Sequence, residues 1–253
     1  MLRADFERLL NDTLSPSLFK DFAPNGLQVE GRETINRVVT GVTATQALIE
    51  AAIAYKADAI FVHHGYFWKN EAPQIVGMKY RRIASLIKHD INLYGYHLPL
   101  DAHPTLGNNA GLADAIGLIN RRGLQSGVAL HESIGVVGEL SNAVSTDRFR
   151  EIIEQAVDRS VLFECVSDKE IRRVALCTGG AQGYIEQAIQ ANADVFITGE
   201  VSEQTIHIAR EMGIHFVAAG HHATERFGAK AMAKFLSEAH GLEAIFIDDN
   251  SPA

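Results

Sequence analysis

The chain has 253 residues, which allows one or two domains with a large buried core. Its formal net charge of -8 argues against a general nucleic-acid or membrane-surface binder, although it leaves room for a local nucleotide site. The two cysteines, Cys165 and Cys177, form no C-x-x-C pair, which favours free thiols in a reducing compartment.

The N-terminal segment does not resemble a targeting signal. Residues 1–15 are typical of an amphipathic helix with acidic residues, whereas a signal peptide has a basic start and a continuous apolar core. No apolar run approaches the length of a membrane span. We therefore expect a cytoplasmic protein.

Helices and strands are predicted to alternate along the first half of the chain. Apolar, β-branched runs such as 37–42 and 59–62 are typical of buried strands, and the second run stops at His63-His64-Gly65. This order predicts a parallel-rich sheet with helices packed on it. The predicted elements are helix 1–20, a turn and short strand within 24–31, strand 37–42, helix 44–55, strand 59–62, helix 81–89, strand 91–96 and helix 108–116.

Residues from about 119 to 170 have no counterpart elsewhere in the chain and are interpreted as an insert. An apolar strand is predicted over 133–140, and Ser145-Thr146-Asp147 is a typical cap for the helix that follows. The insert is expected to form a small α+β subdomain, a lid or an oligomer contact. Beyond it, the pattern predicts strand 173–178, helix 182–191, strand 194–198, helix 203–212, strand 214–219, helix 224–239 and strand 244–247.

The chain also repeats itself. A shift of 136 residues places Arg37–His64 over Arg173–Glu200 without a gap and with nine identical positions. Two copies predict a duplicated α/β fold with a pseudo-twofold axis. We assign 1–118 to the first repeat, 119–170 to the insert and 171–253 to the second repeat.

The adjacent histidines His63 and His64 follow a buried strand, at the edge where ligands bind in α/β folds. Neighbouring side chains of a strand point to opposite faces, so the pair is better suited to reaching two ions than to gripping one. A pair of hydrogen-bonded structural histidines would explain the same pattern.

A second shift, of 124 residues, places His97-x-x-x-Asp101 over His221-x-x-x-Glu225. His221 and Glu225 are one helical turn apart and should lie on one face, although a carboxylate that only stabilises a helix N-terminus is the alternative. Asp101 is their best partner by the repeat, where a turn or cap residue is the alternative. His97 is a candidate ligand, a residue that orients a ligand or a catalytic group.

Four further residues are candidates for the chemistry. Glu200 ends a strand at the place that the histidine pair occupies in the first copy, as a ligand, a proton-transfer group or a helix cap. The segment from Tyr66 to Lys69 is either an aromatic wall for a flat substrate or a core plug. His222 is a candidate substrate contact, and His103 is a residue behind the ligands or a structural one.

Together, three histidines and two carboxylates are expected to hold two divalent ions, with Glu225 bridging them. Histidine with carboxylate suits Zn, Fe, Mn or Co better than Ca or Mg. A pair of ions about 4 Å apart lowers the pKa of a shared water and supplies hydroxide at neutral pH, which predicts hydrolysis. The chain contains no G-x-G-x-x-G, P-loop or G-x-S-x-G motif.

Four segments resemble the YbgI proteins of the larger Nif-three-like family of dinuclear metal proteins, known as GTP cyclohydrolase I type 2 homologues. The resemblance covers essentially the whole chain and is weakest in the insert. The segments are VHHGYFWK, YGYHLPLDAHPTLGNNA, FITGEVSEQTIH and AAGHHATER.

This resemblance implies an intertwined pair of α/β repeats and a hexameric ring with the metal sites facing an internal cavity. It also implies opening of a purine ring of GTP at C8. A base-recognition motif is not evident, and the basic residues Lys69, Lys79, Arg81, Arg82 and Arg226 are as typical of a solvated face as of a triphosphate site. The metal ligands that it implies are His63, His64, Asp101, His221 and Glu225.

Alternative functions remain open at this point. One is hydrolysis of another cyclic amide or of a phosphoester. Another is a metal-binding regulatory or scaffolding ring without turnover, and the last is a metal-free α/β protein with structural histidines.

Overall fold

A computed structural model describes residues 1–249 and 251–253 and divides the chain into two compact units. Unit 1 is Met1–Leu100 with the segment that begins at Gly228, and unit 2 is Asp101–Phe227 with Ser251–Ala253. These units do not coincide with the predicted segments 1–118, 119–170 and 171–253, which stay a prediction about the ancestry of the chain.

Both units are built from helices and strands, which confirms the predicted α/β class. The helices are α1 (Arg3–Leu14), α2 (Gln46–Ala54), α3 (Gly77–Lys88), α4 (Leu98–Ala102), α5 (Asn108–Ala115), α6 (Thr146–Val157), α7 (Ile185–Gln190), α8 (Glu203–Met212), α9 (His221–Thr224) and α10 (Arg226–His240). The strands are β1 (Gly26–Val29), β2 (Arg37–Thr43), β3 (Ala59–His64), β4 (Asn92–Gly95), β5 (Ile119–Gly123), β6 (Val136–Val144), β7 (Leu162–Glu164), β8 (Ile171–Cys177), β9 (Val195–Thr198), β10 (His215–Ala218) and β11 (Glu243–Phe246).

The sheet of unit 1 has the strand order β1-β4-β3-β2-β11. β11, β2, β3 and β4 run parallel, and β1 closes the edge as an antiparallel strand. Side chains of α2 and α3, such as Leu48, Ile49 and Leu86, pack in one buried cluster with Val39, Ile60 and other strand residues. Parallel strands buried in this way have apolar residues at consecutive positions, which is why 37–42 and 59–62 were recognisable.

The sheet of unit 2 has the order β5-β6-β8-β9-β10-β7. β8, β9 and β10 run parallel, while β5, β6 and β7 pair antiparallel on the flanks. The predicted insert thus contributes these antiparallel strands to the sheet. Its helix α6 buries Phe149, Ile153 and Val157 in the core of the unit.

The central strands of the two sheets have the same register. Val38 pairs with Ala59 in unit 1, and Val174 pairs with Val195 in unit 2, which is the same pair after a shift of 136 residues. In both units an aspartate accepts a 2.8 Å hydrogen bond from an arginine backbone, Asp58 from Arg37 N and Asp194 from Arg173 N. These matches support the predicted duplication.

Each unit also contains a segment from the other predicted repeat. α5, from the first repeat, buries Leu112 and Ala113 in the core of unit 2. β11, from the second repeat, pairs with β2 in unit 1. The compact units therefore cut across the repeats, as expected for intertwined copies, whereas the pseudo-twofold axis stays a prediction.

Several boundaries differ from the predictions. β3 continues through His63 and His64 rather than stopping before them. The short elements α4, β5 and β7 were not predicted. The predicted helix 224–239 is divided into α9, which begins at His221, and α10, with Glu225 at the break.

Among the residues that the structure describes, no helix combines the length and the apolar character needed to cross a bilayer.

Candidate metal centre

Within each unit, the candidate side chains follow the carboxyl ends of parallel strands. In unit 1, His63 and His64 end β3, and His97 comes shortly after β4. In unit 2, Glu200 follows β9, and His221 begins the helix after β10. Ligands of open α/β sheets bind at this edge.

The two adjacent histidines of β3 lie close together. Strand alternation predicts opposite directions, yet the ring centroids of His63 and His64 are 4.4 Å apart. Pairing of β3 with β4 ends at Val62, so on that side the histidines lie beyond the ladder. His63 is 1% exposed, and His64 is partly exposed.

Both rings have a partner at Nδ1. His63 Nδ1 is 3.2 Å from the carbonyl oxygen of Tyr96, and His64 Nδ1 is 3.2 Å from the Thr43 hydroxyl. A carbonyl oxygen only accepts, so His63 Nδ1 is the protonated nitrogen. The lone pair of the neutral His63 ring is therefore on Nε2, the nitrogen available as a metal ligand.

The turn after the histidines is shaped by Gln28. A Cβ at Gly65 would overlap the Gln28 carboxamide, whose Oε1 accepts a 2.7 Å hydrogen bond from Tyr66 N. The Tyr66 side chain is buried and donates its hydroxyl to Ala44 O at 2.7 Å. Burial raises the pKa of this hydroxyl, which stays a donor. These contacts favour the core role for Tyr66 over the predicted substrate contact.

Replacement of Tyr66 by phenylalanine should therefore lower stability without changing metal affinity. Loss of the hydroxyl leaves the Ala44 carbonyl without this donor, which costs about 1–3 kcal/mol. Urea unfolding of the metal-free protein measures the loss, and Tyr80→Phe on the exposed side of α3 is the control. Weaker metal or ligand binding with unchanged stability would instead place Tyr66 in the site.

A buried carboxylate holds His97. Asp21 Oδ1 lies 2.7 Å from His97 Nδ1, and Oδ2 accepts from Asn25 Nδ2 and Leu98 N at 3.0 and 2.9 Å. Burial raises the pKa of Asp21, but these hydrogen bonds and the charge of His97 outweigh it and lower the pKa to about 2. Asp21 is therefore ionised at neutral pH, and it fixes the orientation of the His97 ring.

The loop after the histidine pair places an indole beside them. The Trp68 ring centroid is 4.9 Å from that of His97 and 5.8 Å from that of His64. Glu71 Oε2 accepts hydrogen bonds from the backbone N–H groups of Phe67 and Trp68 at 2.9 and 3.2 Å. Trp68, rather than Tyr66, is thus the aromatic residue of this loop that contacts the histidines.

In unit 2, His221 lies between two carboxylates. Its Nδ1 is 2.7 Å from Glu200 Oε1, and its Nε2 is 3.2 Å from Glu225 Oε2. The hydrogen bond and charge of Glu225, with those of Glu200, outweigh burial and raise the pKa of His221 to about 9. The one-turn spacing therefore brings His221 and Glu225 to one face, as predicted.

The Glu225 carboxyl group lies against glycine backbone. Glu225 is 2% exposed, and a Cβ at Gly179 would overlap its Oε1. Gly179 has φ +71 and donates from its N–H to the Thr224 hydroxyl at 3.0 Å. This glycine therefore combines a left-handed conformation with close approach to an acidic side chain.

Asp101 is fixed by the start of α5 and the end of β8. Its Oδ1 accepts from Asn108 Nδ2 at 2.9 Å and from the Thr178 hydroxyl at 3.3 Å. Asn109 donates to the Asp101 carbonyl oxygen at 3.0 Å and accepts from Thr178 N at 3.0 Å. A buried, firmly oriented carboxylate of this kind suits a metal ligand.

The remaining candidates have mainly structural contacts. His222 is buried, and its backbone N–H donates to Ala253 O at 3.1 Å. His103 Nδ1 accepts from Leu106 N at 3.0 Å, and burial lowers the pKa of its ring. Burial and the charges of Asp101 and Glu225 raise the pKa of the Cys177 thiol, so it is no thiolate ligand.

The donor groups of each unit fit a divalent transition-metal ion. Unit 1 offers imidazoles, and unit 2 offers an imidazole with buried carboxylates. A protonated His221 beside the buried Glu225 gives this carboxylate the positive neighbour that a cation would replace. Neutral nitrogen and carboxylate oxygen ligands suit Zn, Fe, Mn or Co.

Comparison with known proteins identifies the family. The family model Duf34/NIF3 (NGG1p interacting factor 3) matches residues 1–252. The chain belongs to the NIF3 family. It is 54% identical to the "GTP cyclohydrolase 1 type 2 homolog" of Yersinia pestis, and the match covers 100% of both chains. The solved structure of the protein ybgI, described as of unknown function, is similar with TM-score 0.95 and 49% identity over 100% of both chains.

A second solved NIF3-like structure, TTHA1606 from Thermus thermophilus, has TM-score 0.89 and 33% identity and also covers both chains fully. The family resemblance inferred from the four sequence segments is therefore confirmed.

In this NIF3 chain, the sequence did not point to the groups that orient the candidate ligands. Asp21 is far from His97 along the chain and has no repeat counterpart. Asn108 and Asn109 did offer a signal, because adjacent asparagines at a helix start are typical caps. Their full burial is visible only in the structure.

Proposed function

We propose that the chain is a dinuclear divalent-metal-dependent hydrolase. The observation that carries this proposal is the placement of imidazoles and buried carboxylates after the parallel strands of each unit. Relatives named GTP cyclohydrolase 1 type 2 homolog support it. The proposed ligands are His63, His64, Asp101, His221 and Glu225, with Glu225 bridging two ions.

Divalent ions bound there supply Lewis acidity, which polarises a substrate and acidifies water. The chain's own groups orient the ligands: Glu200 accepts from His221 Nδ1, and Asp21 accepts from His97 Nδ1. Glu200 is also the proposed proton-transfer group, because its side chain is 47% exposed and can reach both solvent and substrate.

The proposed substrate is a purine nucleotide, nominally GTP. Opening of the five-membered ring at C8 takes up one water and leaves a formamide, and a second water releases formate. Trp68, beside the histidines, offers a flat surface for such a base. His222 and exposed Lys69 are the proposed polar contacts of the substrate.

Two of the candidate phosphate-binding residues have other partners. Lys79 is buried and paired with Glu71 at 3.2 Å, and Arg226 donates to the Val157 carbonyl oxygen. This engagement limits the charge available to a triphosphate, so hydrolysis of another cyclic amide is the second candidate. We also propose a cytoplasmic homo-oligomer, a hexameric ring by family resemblance.

The test is formate release from GTP. Metal-stripped protein is reconstituted with Zn, Mn or Fe and compared with His64→Ala, Glu225→Ala and the exposed control Glu211→Ala. We expect turnover in the parent and the control, and a loss of about 100-fold or more in both site variants.

The outcomes separate substrate from chemistry. Metal binding without formate release would overturn GTP as the substrate, and a panel of cyclic amides and phosphoesters would follow. Metal binding without hydrolysis of any of them would overturn the hydrolase and favour a regulatory or scaffolding role.

A further inference from the structure

Unit 1 brings a third histidine to the pair at the end of β3. The ligand nitrogens of His63, His64 and His97 all lie within 4.8 Å of one another. Their ring centroids are 4.4 to 5.7 Å apart. The ligand set implied by the family resemblance includes the first two but leaves His97 out.

The His97 ring is oriented as a ligand would be. Its Nδ1 faces a carboxylate, which only accepts, so Nδ1 carries the proton and Nε2 the lone pair of the neutral ring. Metal-ligating histidines very often donate their other N–H to a carboxylate in this way.

Asp21 is well fixed for this task. Its side chain is 3% exposed and accepts hydrogen bonds from His97, Asn25, Leu98 N and Phe22 N. The last three donors hold the carboxylate in place independently of His97. The same arrangement recurs in unit 2, where Glu200 accepts from Nδ1 of His221, the residue that corresponds to His97 in the repeat.

We propose that His97 is a metal ligand and that Asp21 is its positioning residue, so that unit 1 contributes three imidazoles to the centre. The inference rests on the metal-binding part of the proposed function and is independent of hydrolysis. Three imidazoles favour Zn²⁺ or Co²⁺ over hard cations such as Mg²⁺.

Trp68 provides a direct readout, because it is the sole tryptophan of the chain and lies 4.9 Å from His97. Paramagnetic Co²⁺ bound to these imidazoles should quench its fluorescence. Titration of the metal-stripped full chain with Co²⁺ thus gives an affinity. We expect it to fall by at least about 10-fold in His97→Ala and by about 10- to 100-fold in Asp21→Asn.

His89→Ala is the matched control, since it removes an exposed imidazole from the same unit at the end of α3. Thermal unfolding of each metal-free variant checks that it folds. A parent chain that binds no Co²⁺ would overturn the proposed metal centre itself. Parent-like affinity in His97→Ala would overturn only the role of His97.

A second measurement needs no folded His97 variant. In the NMR spectrum of the Co²⁺-loaded parent, each imidazole bound through Nε2 contributes one exchangeable, strongly shifted Nδ1–H signal. We expect four such signals, from His63, His64, His97 and His221, and a displaced His97 signal in Asp21→Asn. Three signals in the parent would overturn the proposal.

Discussion

Replacement of Glu225 by alanine is expected to remove most of the bound metal. Glu225 is 2% exposed and lies 3.2 Å from His221 Nε2, so it combines burial with a second donor at ligand distance. Loss of a residue that only orients a ligand already weakens metal binding about 10- to 100-fold, and we expect about 100-fold or more here. Competition with a chromophoric chelator measures the Zn²⁺ affinity.

Thermal stability gives an independent readout of the same change. A metal that binds only the folded chain adds about 2.7 kcal/mol to the free energy of unfolding at a concentration 100 times its Kd. Zn²⁺ should therefore raise the Tm of the parent and of Glu211→Ala, an exposed control on α8, but not that of Glu225→Ala. Full metal content in Glu225→Ala would favour structural histidines instead.

The central part of the fold could be predicted from the sequence. The buried runs 37–42 and 59–62 correspond to β2 and β3, because parallel strands covered on both faces are apolar at every position. The 136-residue shift predicted equivalent strands, and the register confirms that Val38–Ala59 and Val174–Val195 are equivalent pairs.

The edges of the sheets could not be predicted in the same way. β5 has exposed positions such as Ile119, and β7 is only Leu162–Glu164. Such short strands form because a neighbour offers backbone donors and acceptors, so their sequences carry little periodic signal. α4 was missed for a related reason, since its few residues cannot show a helical period.

The candidate site was predictable where the repeat marks it. The shift of 124 residues pointed to Asp101 and Glu225, although each residue alone would have been an ordinary turn or helix-end residue. Asp21 was missed because its contact with His97 spans 76 positions and depends on tertiary structure. The importance of Gly179 was missed as well, because a glycine without a phosphate-loop pattern gave no reason to expect an acidic side chain against it.

That glycine yields the most specific test of the site's geometry. Replacement of Gly179 by alanine should weaken metal binding about 10- to 100-fold without touching any proposed ligand, because the new Cβ would overlap Glu225 Oε1 and lie 3.1 Å from its Cδ. The left-handed backbone, at φ +71, adds strain, so we also expect a stability loss of about 1–3 kcal/mol. Chelator competition and urea unfolding of the metal-free chain measure the two effects separately.

Gly183→Ala is the matched control, because a Cβ there meets no heavy atom within 4 Å and the residue is outside the left-handed region. Its stability should change by less than about 1 kcal/mol, with unchanged metal affinity. A Gly179→Ala protein that is destabilised yet binds Zn²⁺ like the parent would show that Glu225 does not need its position against this backbone. Loss of metal in the folded Gly179→Ala protein, with Gly183→Ala unaffected, would instead tie metal binding to the carboxylate itself, since Glu225 is the side chain that the added methyl group displaces.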